Sequence, residues 1–354
     1  MDWGQWLSRL RRGRAPGRRR KAPGEPLDIL CFRTHHGYQA NLAATRHNFY
    51  LVPAPGTGLW REAFRPFPAN YRWLERGTDD FAAPPDVTFD LVFSQSKSTQ
   101  YESAMRLSRA LAVPLLSAEH TLPLPEWGDE ALAQYKAMRG DVNVFVTDHA
   151  RRLWGWWTYE SVVIDHGVDT DFFSPGDAPR EAVVLSVVND WERRDWCCGF
   201  TLWREASAGL PVRVVGDNPG LSQPAASVHQ LADIYRRSRI FLNTSLATPL
   251  PLALLEAMAS GCAVVSTAAT AIPDVITHGV DGLLASDPAG LRRHVEVLLN
   301  DPDLAERLGR AARRTIVEWY GLDQFVRNWD CAFRQTAAVT DIAALRPRAR
   351  GGLS

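Results

Sequence analysis

Residues 243–265, NTSLATPLPLALLEAMASGCAVV, read as strand, loop, helix and strand in succession. Pro251 suits the first turn of the helix, residues 252–260 are mostly strong helix formers, and Gly261 suits a left-handed stop. A buried strand feeding a helix and then another strand is the unit of a parallel sheet with right-handed crossovers. In such a unit the helix N-terminus faces the strand ends. Its free amides and the positive end of its dipole stabilise a phosphate or diphosphate there. Glu256 stands on an otherwise apolar helix, where an ionised carboxylate is costly without a specific partner. A partly exposed position on the helix face is the other reading of that residue.

The same alternation extends in both directions. Strand-length apolar runs fall at 182–188, 212–215, 240–243, 263–266 and 282–285, separated by stretches suited to helices. An earlier series begins at 27–32, after the punctuation of Pro23, Gly24 and Pro26, and continues at 49–52, 89–93, 114–117, 142–146 and 162–164. Residues 100–111 place Tyr101, Met105 and Ser108 at helical spacing. Two α/β units in tandem are the simplest account. Between them, residues 165–176 (DHGVDTDFFSPG) have the Gly and Pro content of a linker, and a long helical stretch, 301–336, precedes an Arg- and Gly-rich end. In this architecture ligands bind outside the carboxyl ends of the strands, and a cleft between two such domains is a favoured pocket.

Composition agrees with a folded globular chain. Its 354 residues suit two domains of roughly 150 each. Hydrophobic residues at 45% and charged residues at 23% exclude wholesale disorder, collagen-like repeats and a membrane bundle. Forty basic residues offset forty acidic ones, so the whole-chain charge favours no nucleic-acid partner. That balance is uneven along the chain: residues 1–25 carry eight basic side chains against Asp2 and Glu25. Trp3, Trp6, Leu7 and Leu10 recur there at helical spacing among arginines, which suits either an anionic membrane surface or a disordered basic leader. Only Lys21, Lys97 and Lys136 are lysines, an arginine bias that fits GC-rich coding better than any site. Five scattered cysteines without metal-ligand spacing fit a reduced, cytoplasmic protein, and no apolar run approaches the length of a membrane span.

The 243–265 segment, with residues 271–276 (AIPDVI) and 278–284 (HGVDGLL) after it, resembles the C-terminal domain of retaining GT-B glycosyltransferases of the family 4 type. The resemblance extends over most of residues 27–336. It implies an α/β, GT-B fold with two Rossmann-like domains whose parallel sheets face an interdomain cleft. The implied boundaries are a basic, flexible tail (1–25), an acceptor domain (27–165), a linker (166–180), a nucleotide-sugar domain (181–320), a helical segment (321–340) and a flexible tail (341–354). Residues 163–175 (VIDHGVDTDFFSP) look like the family's interdomain linker, and residues 214–219 (VVGDNP), with Gly216, like its strand and turn near the nucleotide.

By the same resemblance, Glu256 binds the ribose hydroxyls of a UDP- or GDP-linked sugar, and His120 lies beside the transferred sugar as the catalytic-site histidine; a satisfied loop histidine after a strand is the other reading of His120. Gly37, in RTHHGYQ (33–39), resembles the glycine loop near the donor diphosphate; a glycine that only turns the chain is the other reading. His35, His36, Tyr38 and Lys97 are candidates for the acceptor side, without assigned roles. Two positions depart from the family. The acidic residue expected eight positions before the helix glutamate is Thr248, and the basic pair for the diphosphate falls near Asn189 and Arg194, with Arg193 adjacent. Arginine's planar fork suits phosphate oxygens, so Arg194 and Arg193 can supply the charge, with amides near Gly37 and at Pro249, Leu250, Pro251 and Leu252. With cations and amides in that role, no metal is required.

Other signals carry less. Asp169-Thr170-Asp171 has an Asp-x-Asp form but sits in the linker pattern and reads as structural. Gly56-Thr57-Gly58 lacks the third glycine of a dinucleotide fingerprint, and no P-loop sequence occurs. Trp154-Gly155-Trp156-Trp157 suggests either a carbohydrate- or lipid-facing surface or helix packing. The implied function is sugar transfer, with retention, to a glycan, lipid-linked or small-molecule acceptor. The alternatives are a non-catalytic nucleotide-sugar-binding or partner protein, suggested by Thr248, and a peripheral membrane scaffold resting on the tail alone.

Overall fold

Short apolar runs that lack a polar face must be covered on both sides, and the chain meets that demand with two parallel sheets clad in helices. The structure, a computed structural model, describes residues 21–52, 60–76, 81–82, 84, 86–124, 126–157 and 161–339. The spacing of Trp3 to Leu10, the Gly56-Thr57-Gly58 sequence and the terminal tail from 341 lie outside the described residues.

The first lobe contains β1 (Asp28–Phe32), α1 (His36–Ala43), β2 (Asn48–Val52), β3 (Tyr71–Trp73), β4 (Glu75–Arg76), β5 (Phe81–Ala82) and β6 (Leu91–Ser94). It continues with α2 (Tyr101–Leu111), β7 (Leu115–Glu119), α3 (Asp129–Ala137), β8 (Val142–Phe145), α4 (Asp148–Leu153) and β9 (Val162–Val163). Its main sheet runs β3-β2-β1-β6-β7-β8-β9, every pair parallel; β4 and β5 form a small antiparallel ribbon. The second lobe holds β10 (Glu181–Val187), α5 (Asp195–Cys198), α6 (Phe200–Ser207), β11 (Val212–Val215), α7 (Val228–Arg237), β12 (Ser238–Asn243) and α8 (Leu252–Ala259). After these come β13 (Ala263–Thr267), α9 (Ile272–Val275), β14 (Leu283–Ala285), α10 (Pro288–Asn300), α11 (Pro302–Trp319) and α12 (Leu322–Ala337). The second sheet is also parallel, in the order β11-β10-β12-β13-β14. In both sheets the order reverses beside the first strand, which opens a crevice at the carboxyl ends on that side.

The helical stretch expected at 301–336 is two helices. It breaks at Tyr320-Gly321, where Val168 N donates to Tyr320 O at 2.8 Å and Leu322 N donates to Val168 O at 2.9 Å. The linker thus captures the backbone groups of the break and turns α12 back onto the first lobe. Phe325, Trp329 and Phe333 of α12 are fully buried with Ile29, Leu51, Phe93 and Leu116 of the first sheet. Gly167 makes that return possible, since a Cβ there would lie 2.4 Å from Phe325 Cβ. The tryptophan cluster also resolves: Trp154 and Trp156 are buried with Phe145, while Trp157 is exposed. Asp169 Oδ1 accepts from the amides of Asp171 and Phe172, so the Asp-x-Asp sequence shapes the linker turn.

Candidate functional site

The strand ends of both lobes carry the polar residues singled out in the sequence. On the second lobe, β12 leads through residues 244–251 into α8, which starts at Leu252. Pro251 is the residue flanking the helix, one position before its first turn, and gives its amides no side-chain cap. Glu256, one turn in, is half-buried. Tyr235 Oη donates to Glu256 Oε2 at 3.2 Å. Burial pushes the Glu256 carboxyl up to about 7, against the opposing effects of Arg65 and of the Tyr235 hydrogen bond. Thr248 keeps a buried Oγ1 with no hydrogen-bond partner. Gly261 ends the helix region with φ +78°, as its sequence position requires.

The turn after β10 is braced from the turn after β11. Asp217 N donates to Asn189 Oδ1 at 2.8 Å, Trp191 N donates to Asn218 Oδ1 at 2.8 Å, and Asn218 Nδ2 donates to Val188 O at 2.8 Å. Gly216 has φ +145°, and a Cβ there would lie 1.8 Å from Val188 O, so only glycine fits. Asn189, which stands where a cation was expected, is a structural brace. Arg194 extends from this turn close enough to act on His35 of the first lobe. Arg193 is 81% exposed on its side chain and pairs with Asp190 at 2.9 Å. Both side chains are exposed: Arg194 lies near enough to act on His35 of the first lobe, and Arg193 pairs with Asp190.

The first lobe supplies the opposite wall. Gly37 lies in the first turn of α1 with an ordinary helical backbone, and a Cβ there would meet only the His35 ring, at 3.3 Å. Neither φ nor crowding demands glycine in the protein alone. His120 follows β7. Its ring stands edge-on to Tyr38 at 4.4 Å and parallel to His166 of the linker at 6.4 Å. His120 Nε2 and His166 Nδ1 are buried without hydrogen-bond partners. Burial pushes His120 down to about 3, with His166 and His35 adding to the effect, and His166 down to about 4. Both imidazoles are therefore neutral at pH 7. The backbone of Leu250, in the loop before α8, also acts on His166.

Lys97 does not line the cleft. It is buried, donates Nζ to Met138 O, and lies 4.9 Å from the Trp156 ring. Burial lowers it to about 8. Arg65, unremarked in the sequence, reaches into the cleft from the first lobe and acts on Glu256 and Asp169. Its segment is anchored across the cleft: Val228 N of α7 donates to Phe64 O at 2.8 Å, and Phe64 packs against the second-lobe core. An isolated arginine in an irregular stretch gives no periodicity, and only the folded chain shows where it ends.

Two lobes built on parallel α/β sheets are shared with solved structures. The chain superposes on Anabaena HepE in complex with UDP with a TM-score of 0.69, at 14% identity, covering 88% of this chain and 100% of that one. The fold is GT-B. A second GT-B match, sucrose-phosphate synthase from Thermosynechococcus elongatus, has a TM-score of 0.64 at 16% identity over 89% of this chain and 100% of the other. Within the second GT-B lobe, residues 207–301 match the family of glycosyl transferases group 1.

Among curated relatives, alpha-maltose-1-phosphate synthase of Mycobacterium tuberculosis is 35% identical over 104 residues, 27% of this chain and 27% of that protein. D-inositol 3-phosphate glycosyltransferase of Streptomyces avermitilis is 32% identical over 130 residues, 36% of this chain and 26% of the other. The matched region spans about a quarter of the length of these relatives. No helix among the described residues is long and apolar enough to cross a membrane.

Proposed function

We propose that this chain is a glycosyltransferase that moves a sugar from a nucleoside diphosphate sugar to an acceptor, with retention at the anomeric carbon. The observation that carries the reading is Glu256. It is a half-buried carboxylate on α8, one turn beyond an uncapped helix start, with a single hydrogen bond among the described residues, from Tyr235, and the cation of Arg65 opposite. A ribose diol supplies two donors to such a group. In this reading Glu256 holds the ribose, while Thr248, Pro249, Leu250, Pro251 and Leu252 line the approach to the α8 amides. Arg194 and those amides, with the backbone at Gly37, carry the charge that develops on the departing diphosphate. Gly216 keeps the neighbouring turn in place. These groups give the diphosphate its counter-charge, and the reading requires no metal.

His120 and His166 are neutral, so they serve as hydrogen-bonding groups to sugar hydroxyls and not as cations. Each keeps a buried ring nitrogen without a partner, which supports a hydrogen-bonding role once the lobes rearrange around a sugar. Closure of the lobes around donor and acceptor excludes water, which would otherwise consume the activated sugar. The HepE structures hold UDP and UDP-glucose, which makes uridine donors the first to test, with GDP sugars next. The implied partners are the donor, a sugar, lipid-linked or small-molecule acceptor, and an anionic membrane surface for residues 1–25. The same reading places the protein in the cytoplasm, where nucleotide sugars are made.

A thermal-shift panel of UDP, GDP and ADP with their sugars, followed by an assay of donor consumption, tests it, because selective binding raises stability by mass action. Thr248 favours one second reading. An unpartnered hydroxyl where the family has an acid is consistent with a nucleotide-sugar-binding protein without turnover. Binding without transfer or hydrolysis across a broad panel selects that reading.

A further inference from the structure

The first-lobe wall of the cleft gathers several basic side chains around His36. Arg33 Nη2 lies 2.6 Å from His36 Nε2, and the His36 ring packs 4.6 Å from Trp60. The charged groups acting on His36 are Arg33, His35, Arg61 and Arg65, all basic. Burial, with those charges, pushes His36 down to about 4, so its neutral ring accepts from Arg33 and fixes that guanidinium in place. Arg33 and Arg65 each retain a buried Nε with no hydrogen-bond partner. Carboxylates do enter the neighbourhood at its edges: Glu256 and Asp169 act on Arg65, and Glu62 follows Arg61 in the chain. Burial alone perturbs Arg33. Gathered like charges without a counter-ion destabilise one another, and an oxyanion relieves that repulsion while using the guanidinium fork.

We propose that Arg33 and Arg61, with neutral His36 and Trp60 beside them and Arg65 at the edge, form a subsite for a phosphate group carried by the acceptor. The word acceptor rests on the glycosyltransferase reading; the anion subsite does not. Two guanidinium groups with a third at the edge match the dianion of a phosphate monoester better than a single carboxylate. Arg194 and α8 belong to the other lobe and are assigned to the donor; Arg194 also acts on His35 beside this cluster, so the two anion sites are distinguished by which ligand each variant loses more.

The test is calorimetric titration of the full chain with inorganic phosphate, with acetate and with UDP, in the wild type and in Arg33→Gln, Arg61→Gln and Arg194→Gln. Arg61 is exposed, so R61Q keeps the test valid if R33Q does not fold. R33Q and R61Q are expected to weaken phosphate binding about tenfold each, with UDP affinity close to wild type, and R194Q to show the reverse. Wild type is expected to bind phosphate more tightly than acetate. Phosphate affinity unchanged in R33Q and R61Q, no phosphate binding by wild type, or equal response to acetate overturns the proposal. Loss of UDP binding to wild type with the phosphate pattern intact would sink the donor reading and leave the subsite standing.

Discussion

Tyr235 Oη donates to Glu256 Oε2 at 3.2 Å, joining a buried hydroxyl on α7 to a half-buried carboxylate on α8. Tyr235 has no exposure at all, so this hydroxyl fixes the direction in which the carboxylate points. Arg65 acts on the same carboxylate from the opposite lobe. One acid thus meets groups from both lobes.

The Glu256 carboxyl is raised from 4.5 to about 7, so the folded state holds its proton more tightly than the unfolded state. Its contribution to stability is complete below the unfolded value and is lost as pH rises through about 7. Glu256→Gln should remove this component, leaving a flatter pH dependence of urea-unfolding stability between pH 5 and 8 by about 1–3 kcal/mol. Nucleotide affinity should move oppositely, rising as the carboxylate forms, and lose that rise in E256Q. Identical pH profiles for the two proteins would contradict the role.

Arg194→Ala should weaken binding of a nucleoside diphosphate by about tenfold or more while leaving the free nucleoside nearly unaffected, since a charge-assisted phosphate contact is lost. Arg193→Ala, whose side chain faces solvent and Asp190, should change either affinity little. Calorimetry on the two variants distinguishes them; equal loss for nucleoside and diphosphate would argue against phosphate contact.

Gly216→Ala places a Cβ on Val188 O and forces alanine to φ +145°. A loss of about 2 kcal/mol or more in chemical unfolding is expected, with the β10 turn that carries Arg194 displaced. A variant as stable as wild type would mean that the Val188 turn shifts freely.

Trp329→Ala removes the largest side chain that α12 buries in the first lobe, and should cost about 3–5 kcal/mol. Thermal unfolding measures this. A cost below about 1 kcal/mol would show that α12 adds little to the first-lobe core.

Much of the fold was legible because buried parallel strands are short apolar runs whose composition does not depend on distant partners. Val212–Val215 matches its expected span, and most other strands differ by one or two residues at an end. The break at Tyr320-Gly321 was not legible, because it is stabilised by Val168, some 150 residues away, and no local signal marks such a pairing. In the site, Glu256 stood out as a lone acid on an apolar helix. Arg65 did not, since its position comes from Trp60 Nε1 donating to Arg65 O and from Phe64 docking on the other lobe. Arg193 and Arg194 are neighbours in sequence, and only the structure shows that Arg193 pairs with Asp190 while Arg194 acts on His35.

Deletion of the basic segment 1–25 should reduce binding to vesicles containing anionic lipid and leave donor affinity unchanged. Undiminished vesicle binding by residues 26–354, measured by co-sedimentation, would remove the membrane role.

The most direct measurement is release of nucleoside diphosphate from UDP- and GDP-sugars, followed by mass spectrometry, for wild type and Glu256→Ala. The account predicts that wild type consumes at least one nucleotide sugar, by transfer or slow hydrolysis, and that E256A loses about a hundredfold in kcat/KM, of order 3 kcal/mol. Equal rates in the two proteins, or no binding and no consumption of any nucleotide sugar by wild type, would contradict it.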